Sequence, residues 1–221
     1  MICPELIRNR PAARVELYHF ERLHPEGRRL ISGWFERAWQ ARECSPEDSF
    51  EPLIFAWFAF NGWAACVTGR DQDRAYIDAL MCCPEVTGHF QAALNSPDSG
   101  LAQHASNFAS LWPIFDVRAL RQRSIHTWHA RNLGRTERAA LVQDYLSRGA
   151  TRFQPECWLR HQQAAEQPPL DWPHTLSALY RVRCNLFHGE KAAHSEMDQV
   201  VVVSGLQTLL HFVHHTKYLE P

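Results

Sequence analysis

The stretch L-Y-R-V-R-C-N-L-F-H-G-E-K, residues 179–191, sets the fold class and reads as the end of an amphipathic helix. Asp171 or Trp172 precedes Pro173, a favourable first-turn residue, and Gly189 stands where a left-handed cap would stop the helix. At about 100° per residue, Leu176, Leu179, Tyr180, Leu186 and Phe187 share one side of it. Arg183 lies among them, and an arginine rarely occupies such a face unless it is paired or functional. His188 closes the same helix, roughly 140° round from Arg183.

Outward from this stretch the chain keeps reading as helix. Residues 195–215 open on the capping box S-E-M-D and continue with Val200, Val203, Leu206, Leu210 and Val213. Valines 200–203 are poor helix formers, so a helix there implies support from tertiary packing. Residues 136–148 predict a helix capped at Thr136 and stopped at Gly149, while 150–172, with Q-P-P-L-D-W-P, is mostly connection. Shorter helices are expected over 71–83, 84–94 and 101–115, the last two separated by N-S-P-D-S-G. Residues 50–69 are apolar nearly all round, as a central helix surrounded by neighbours should be. Strand is the competing assignment, but the length of the run favours helix. Residues 28–42 repeat Leu30, Ile31, Trp34, Phe35, Ala38 and Trp39 at helical spacing, and the turn C-S-P-E-D-S offers Ser45 or Ser49 as a cap. Residues 1–27 hold Pro4, Pro11 and Pro25 and read as an irregular lead-in. With no internal repeat and no hairpin signature, the expectation is an all-α chain. Residues 28–221 form one helical domain, in which 116–172 is an arginine-rich, proline-containing insert or connection.

Composition narrows the function classes. The 221 residues are 45% hydrophobic and 21% charged, enough to build a full core and inconsistent with disorder. Twenty-three basic residues against 24 acidic ones argue against a bulk nucleic-acid coat protein, though not against a local basic cleft. Seven cysteines without a C-x-x-C pair fit a reducing compartment better than a disulfide framework or zinc ribbon. The N-terminus lacks a signal pattern, and the run 52–68 is short for a membrane span and carries Asn61 and Gly62, so a cytoplasmic protein without a membrane partner is expected.

The R-x-x-x-x-H of Arg183 and His188, set in V-R-C-N-L-F-H-G-E-K between two late helices, resembles the HEPN superfamily. The run is similar to the form V-R-N-N-L-F-H-G-x-K of one bacterial branch, and W-F-A-F-N-G-W, residues 57–63, resembles that branch's earlier core helix. The resemblance implies a HEPN-like helical bundle with additional helices, the motif lying between the two last long ones. It also implies a metal-independent endoribonuclease without cofactors, acting as a homodimer in toxin or antiviral defence, with an antitoxin or other regulatory partner.

The chemistry accounts for the residue types. Cleaving RNA by 2′-hydroxyl attack needs a base, an acid for the leaving 5′-oxygen, and a cation for the charge on the phosphorane. His188 can serve either proton role, and a helix C-terminus favours its protonated form. Arg183 can bind two phosphate oxygens. One such pair supplies too few groups, and the resemblance implies that two protomers bring both pairs to one cleft across a two-fold interface. Asn185, Cys184 and Lys191 are the neighbours expected to orient substrate or histidine. Cys184 departs from the polar residue that commonly follows the arginine. Glu190 stands where the subset modified by a nucleotidyltransferase partner carries tyrosine, so that pairing is not implied. The competing readings are a catalytically inactive HEPN-like RNA- or nucleotide-binding or interaction module, and a purely structural pairing of Arg183 with a buried carboxylate while His188 caps the helix.

Two further clusters stand out in the sequence. Arg118, Arg121, Arg123, Arg131, Arg135 and Arg138 crowd 21 residues in which Glu137 is the only acid. They form either a track for an RNA backbone, with Trp128 placed to stack a base, or a solvated face. His211 and His215 have the i, i+4 spacing of a metal pair, and His214 lies between them, but no glutamate or cysteine accompanies them in frame. No metal site is expected.

Overall fold

A computed structural model describes residues 15–122, 133–164, 166, 168–187 and 196–219. In chain order the helices are α1 (Pro25–Gln40), α2 (Phe50–Thr68), α3 (Asp73–Met81), α4 (Pro84–Asn95), α5 (Leu101–Ser110), α6 (Val117–Gln122), α7 (Arg135–Ser147), α8 (Trp158–Gln163), α9 (Trp172–Phe187) and α10 (Glu196–Thr216). Two short strands, β1 (Ile114–Phe115) and β2 (Phe153–Gln154), pair antiparallel with Phe115 opposite Phe153. The chain is predominantly helical, in keeping with the all-α expectation.

Helix α2 is the centre. Its only charged residue is Glu51, in the first turn, and it buries Leu53, Ala56, Trp57, Phe60, Trp63, Ala64 and Val67 almost completely. Each large apolar side chain removed from water contributes about 1.5–3 kcal/mol, which outweighs the poor helix propensity of the aromatic residues. Helix α1 lies along one side of α2, and α3 and α10 pack on others. A Cβ at Gly62 would come within 2.8 Å of Ile31 Cγ1, so glycine lets α1 approach. Gly69, at φ 61°, ends α2 in the left-handed conformation and donates its N–H to the Ala65 carbonyl at 2.9 Å. Among the described residues α2 is also the one helix long and apolar enough to cross a membrane by length and composition. Half of that segment is buried inside the protein.

The C-terminal helices complete the core. Trp172 opens α9 fully buried, donates its indole N–H to the Leu80 carbonyl at 3.2 Å, and packs against Phe60, Phe90 and Phe212. Val201 and Val202 of α10 are buried, the tertiary support that the valine run requires.

Several boundaries differ from the sequence expectation. Helix α1 begins at Pro25, inside the supposed lead-in, because His24 Nδ1 accepts the Glu26 N–H and Pro25 takes the first helical position. A 3-10 turn, Leu17–His19, also falls there. The helix expected over 101–115 stops at Ser110, and Ile114 and Phe115 turn to pair with β2. The connection 150–172 contains β2 and α8. Helix α7 is capped by Glu137 reaching back to the Gly134 N–H at 2.7 Å rather than by Thr136, and Gly149 at φ 65° follows its end as expected. Ser195 of the last capping box lies outside the described residues.

Candidate functional site on helix α9

Along α9 the buried positions after its first two turns are Ala178, Leu179, Val182 and Asn185, a stripe at helical spacing that faces the core. Tyr180, Arg183 and Phe187 fall on the other side. The apolar face on which Arg183 sits is therefore the half-exposed one, and Phe187 is 40% exposed. The sequence pattern could not separate these two faces, because both are apolar.

Arg183 Nη2 meets Asp73 Oδ2 of α3 at 2.6 Å, with side-chain exposures of 18% and 33%. Asp73 Oδ1 lies 2.8 Å from the Tyr76 hydroxyl, which is 2.6 Å from the Asn61 side-chain carboxamide of α2. One phenol proton cannot serve two acceptors. The hydroxyl therefore donates to Asn61 Oδ1 or to Asp73 Oδ1, and Asp73 Oδ2 accepts from Arg183. Burial, and then the bond to Asp73, push the Tyr76 hydroxyl well above the ordinary tyrosine range, so it remains a donor. The ion pair is partly solvated and worth on the order of 1 kcal/mol, so an incoming phosphate can compete for the guanidinium. Arg183 Nε is buried without a hydrogen-bond partner among the described residues. The guanidinium also lies 4.5 Å from the centre of the Phe187 ring.

From Arg183 a continuous series of ring contacts crosses three helices. Phe187 meets Phe58 edge-on at 6.0 Å, Phe58 meets Trp34 at 5.6 Å, and Trp34 stacks on Phe55 at 5.2 Å. The Arg37 guanidinium caps the far end, 4.7 Å from the Phe55 ring. Phe58, like Phe187, is 40% exposed.

Cys184 is half-buried and hydrogen-bonded to Tyr180, whose hydroxyl is pushed up to about 12, by burial first and Cys184 second. Asn185 does not reach the Arg183 face. It is buried, its Nδ2 donates to the Phe115 carbonyl at 2.8 Å, and its Oδ1 accepts the Val117 N–H at 3.3 Å. It ties α9 to β1 and to the start of α6, so the residue expected to orient substrate sits on the core side of α9, away from Arg183. The tie is seconded by Arg181, whose Nη1 meets Asp116 Oδ2 at 3.0 Å. Asn185→Ala leaves two buried backbone groups without this partner, and a loss of about 2 kcal/mol in urea unfolding is expected, with no direct effect on Arg183.

His188, Gly189, Glu190 and Lys191 lie outside the described residues, which on α9 end at Phe187. Of the arginine-rich segment, Arg123 and Arg131 are likewise outside. Arg121 falls in α6 and Arg135 starts α7, and Arg118 is exposed on α6. Asn185 and Arg181 dock the start of α6, the helix that carries Arg118, on α9. Arg138 donates from Nε to the Leu133 carbonyl at 3.1 Å. His211 Nδ1 bonds the Ser99 carbonyl at 2.8 Å, and His214 stacks on Trp39 at 3.9 Å. Sequence reasoning missed Asp73, whose only local signal is its i, i+3 spacing to Tyr76.

Comparison of the chain with protein-family models, with curated proteins and with solved structures gave no match.

Proposed function

We propose that the chain is a HEPN-type, metal-independent endoribonuclease whose site is assembled from Arg183 and His188 of two protomers. The observation that carries this reading is Arg183 itself: a guanidinium one turn before the described end of α9, on a half-exposed face, held by one partly solvated carboxylate and with a buried N–H that has no partner among the described residues. Such a group can accept a phosphate that displaces the carboxylate. His188 follows directly on the described end of the helix. Arg183 stabilises the phosphorane and His188 transfers protons, and Asp73 and Tyr76 hold the guanidinium in place as positioning residues. The exposed Phe58 and Phe187 beside it support a second copy of the chain as the partner of this face. A role in toxin–antitoxin or antiviral defence, and an antitoxin or regulatory partner, are part of the proposal and rest on the motif resemblance.

The test is incubation of the purified protein with RNA in chelator, followed by end-group analysis. Products ending in 2′,3′-cyclic phosphate and 5′-hydroxyl are expected. In parallel, Phe58→Glu combined with Phe187→Glu should convert a dimeric mass by light scattering to a monomeric one and abolish cleavage, the helical circular dichroism being retained. A wild-type chain that is monomeric at assay concentration would sink the composite site.

A second reading is favoured by the Arg183–Asp73 pair: a HEPN-like domain that binds RNA or nucleotide without cleaving it, the carboxylate neutralising the cation. It predicts salt-sensitive binding and no products.

A further inference from the structure

Cys157, Asp171 and His174 come together in the interior where β2 and α8 meet the first turn of α9. His174 is fully buried and both of its ring nitrogens are engaged. Nδ1 lies 2.5 Å from Asp171 Oδ1, which also accepts the His174 backbone N–H at 3.0 Å, and Nε2 lies 3.1 Å from Cys157 Sγ. The carboxylate keeps the proton on Nδ1, so in the neutral ring Nε2 is an acceptor aimed at the thiol. The Cys157 thiol is thus hydrogen-bonded to Nε2, which is placed to take the thiol proton as Sγ attacks. A nucleophile bonded to a base, with the base oriented by a third group, is the arrangement that activates a thiol. Cys44 and Cys66 differ: burial pushes both thiols up, with Asp48 adding to the effect on Cys44.

Burial limits what can react. Cys157 is 1% exposed and His174 0%, which excludes peptide, ester or other bulky acyl substrates. We propose that Cys157 is a primed nucleophile and an oxidative modification site whose co-reactant is hydrogen peroxide, a molecule scarcely larger than water. Sγ attacks one peroxide oxygen, the S–O bond forms as the O–O bond breaks, and sulfur is oxidised to the sulfenic acid while peroxide is reduced. The departing hydroxide takes the proton from His174 Nε2 and leaves as water. The new oxygen must enter between Sγ and Nε2, which are 3.1 Å apart and buried, while Asp171 caps the first turn of α9 and His174 lies in it. Oxidation therefore loosens the anchored end of the helix that carries Arg183. The inference is independent of the ribonuclease reading.

The test treats the full-length protein with one equivalent of hydrogen peroxide for graded times. Catalase stops the reaction, the protein is unfolded in dimedone, and labelled cysteines are counted by peptide mass spectrometry. Cys83 is the internal control: it is buried, and no imidazole is bonded to it among the described residues. Cys157 is expected to be labelled about tenfold faster than Cys83. Asp171→Asn should bring the two rates together without lowering the thermal midpoint, because asparagine caps a helix as well as aspartate does. Equal rates for Cys157 and Cys83 in the wild-type protein would overturn the proposal, as would an Asp171→Asn variant that oxidises as fast as wild type. If the variant does not fold, the wild-type comparison decides alone.

Discussion

Arg183→Ala is expected to lower RNA cleavage in chelator by about 10²–10³-fold, the usual cost of removing one preorganised charge from a phosphoryl transition state. On the proposed mechanism the loss should lie in kcat, because the guanidinium would meet its full partner only as the phosphorane forms. Arg183→Lys keeps the charge but not the fork and should recover a small part of the rate. Stability should change little. The pair with Asp73 is partly solvated, so its removal costs on the order of 1 kcal/mol. His188→Ala should cost about 10²–10⁴-fold through the loss of proton transfer. Because the two residues act as a unit, the double variant should be no worse than the poorer single one. Cleavage unchanged in either single variant would reject the assignment of these residues.

The largest effect on the fold is expected at Trp172. It is fully buried, touches aromatic rings from α2, α4 and α10, and fixes α9 to α3 through the Leu80 carbonyl. Trp172→Ala removes the side chain where five helices meet, and the cavity left should cost about 3–5 kcal/mol. Against a total stability of about 5–15 kcal/mol, the variant will be close to unfolding at physiological temperature. Trp172→Phe keeps a ring and loses the indole N–H bond, and should cost about 1–2 kcal/mol. Urea titration measures both. A loss below about 1 kcal/mol for the alanine variant would mean that α9 is anchored elsewhere than at its first turn.

What the sequence made legible follows its physics. Helix α2 could be read because a long apolar run has one solution inside a protein, and α9 because Pro173, the apolar spacing and Arg183 coincide on one helix. The β1–β2 pair was not legible: strands of two residues carry no periodicity and exist only because the chain brings Phe115 opposite Phe153. Helix α8 is six residues long, too short for a repeat to show. At the site, Arg183 announced itself as a charge on an apolar face. Its partner Asp73 lies on another helix, and nothing local points from one to the other. Asn185 stood in the motif yet serves the backbone, a role that depends on β1 lying against it. The Asp171–His174 spacing was visible, but Cys157 joins the pair through a contact spanning 17 residues.

The composite site can be tested by dilution with inactive protomers. Co-expressing wild-type chain with an equal amount of the Arg183→Ala/His188→Ala chain produces both homodimers and the mixed dimer. If both pairs are needed in one cleft, the mixed dimer is inactive and activity per total dimer falls to about one quarter, the square of the wild-type fraction. A fall to only one half, or no cleavage by the undiluted wild-type dimer, would contradict the account.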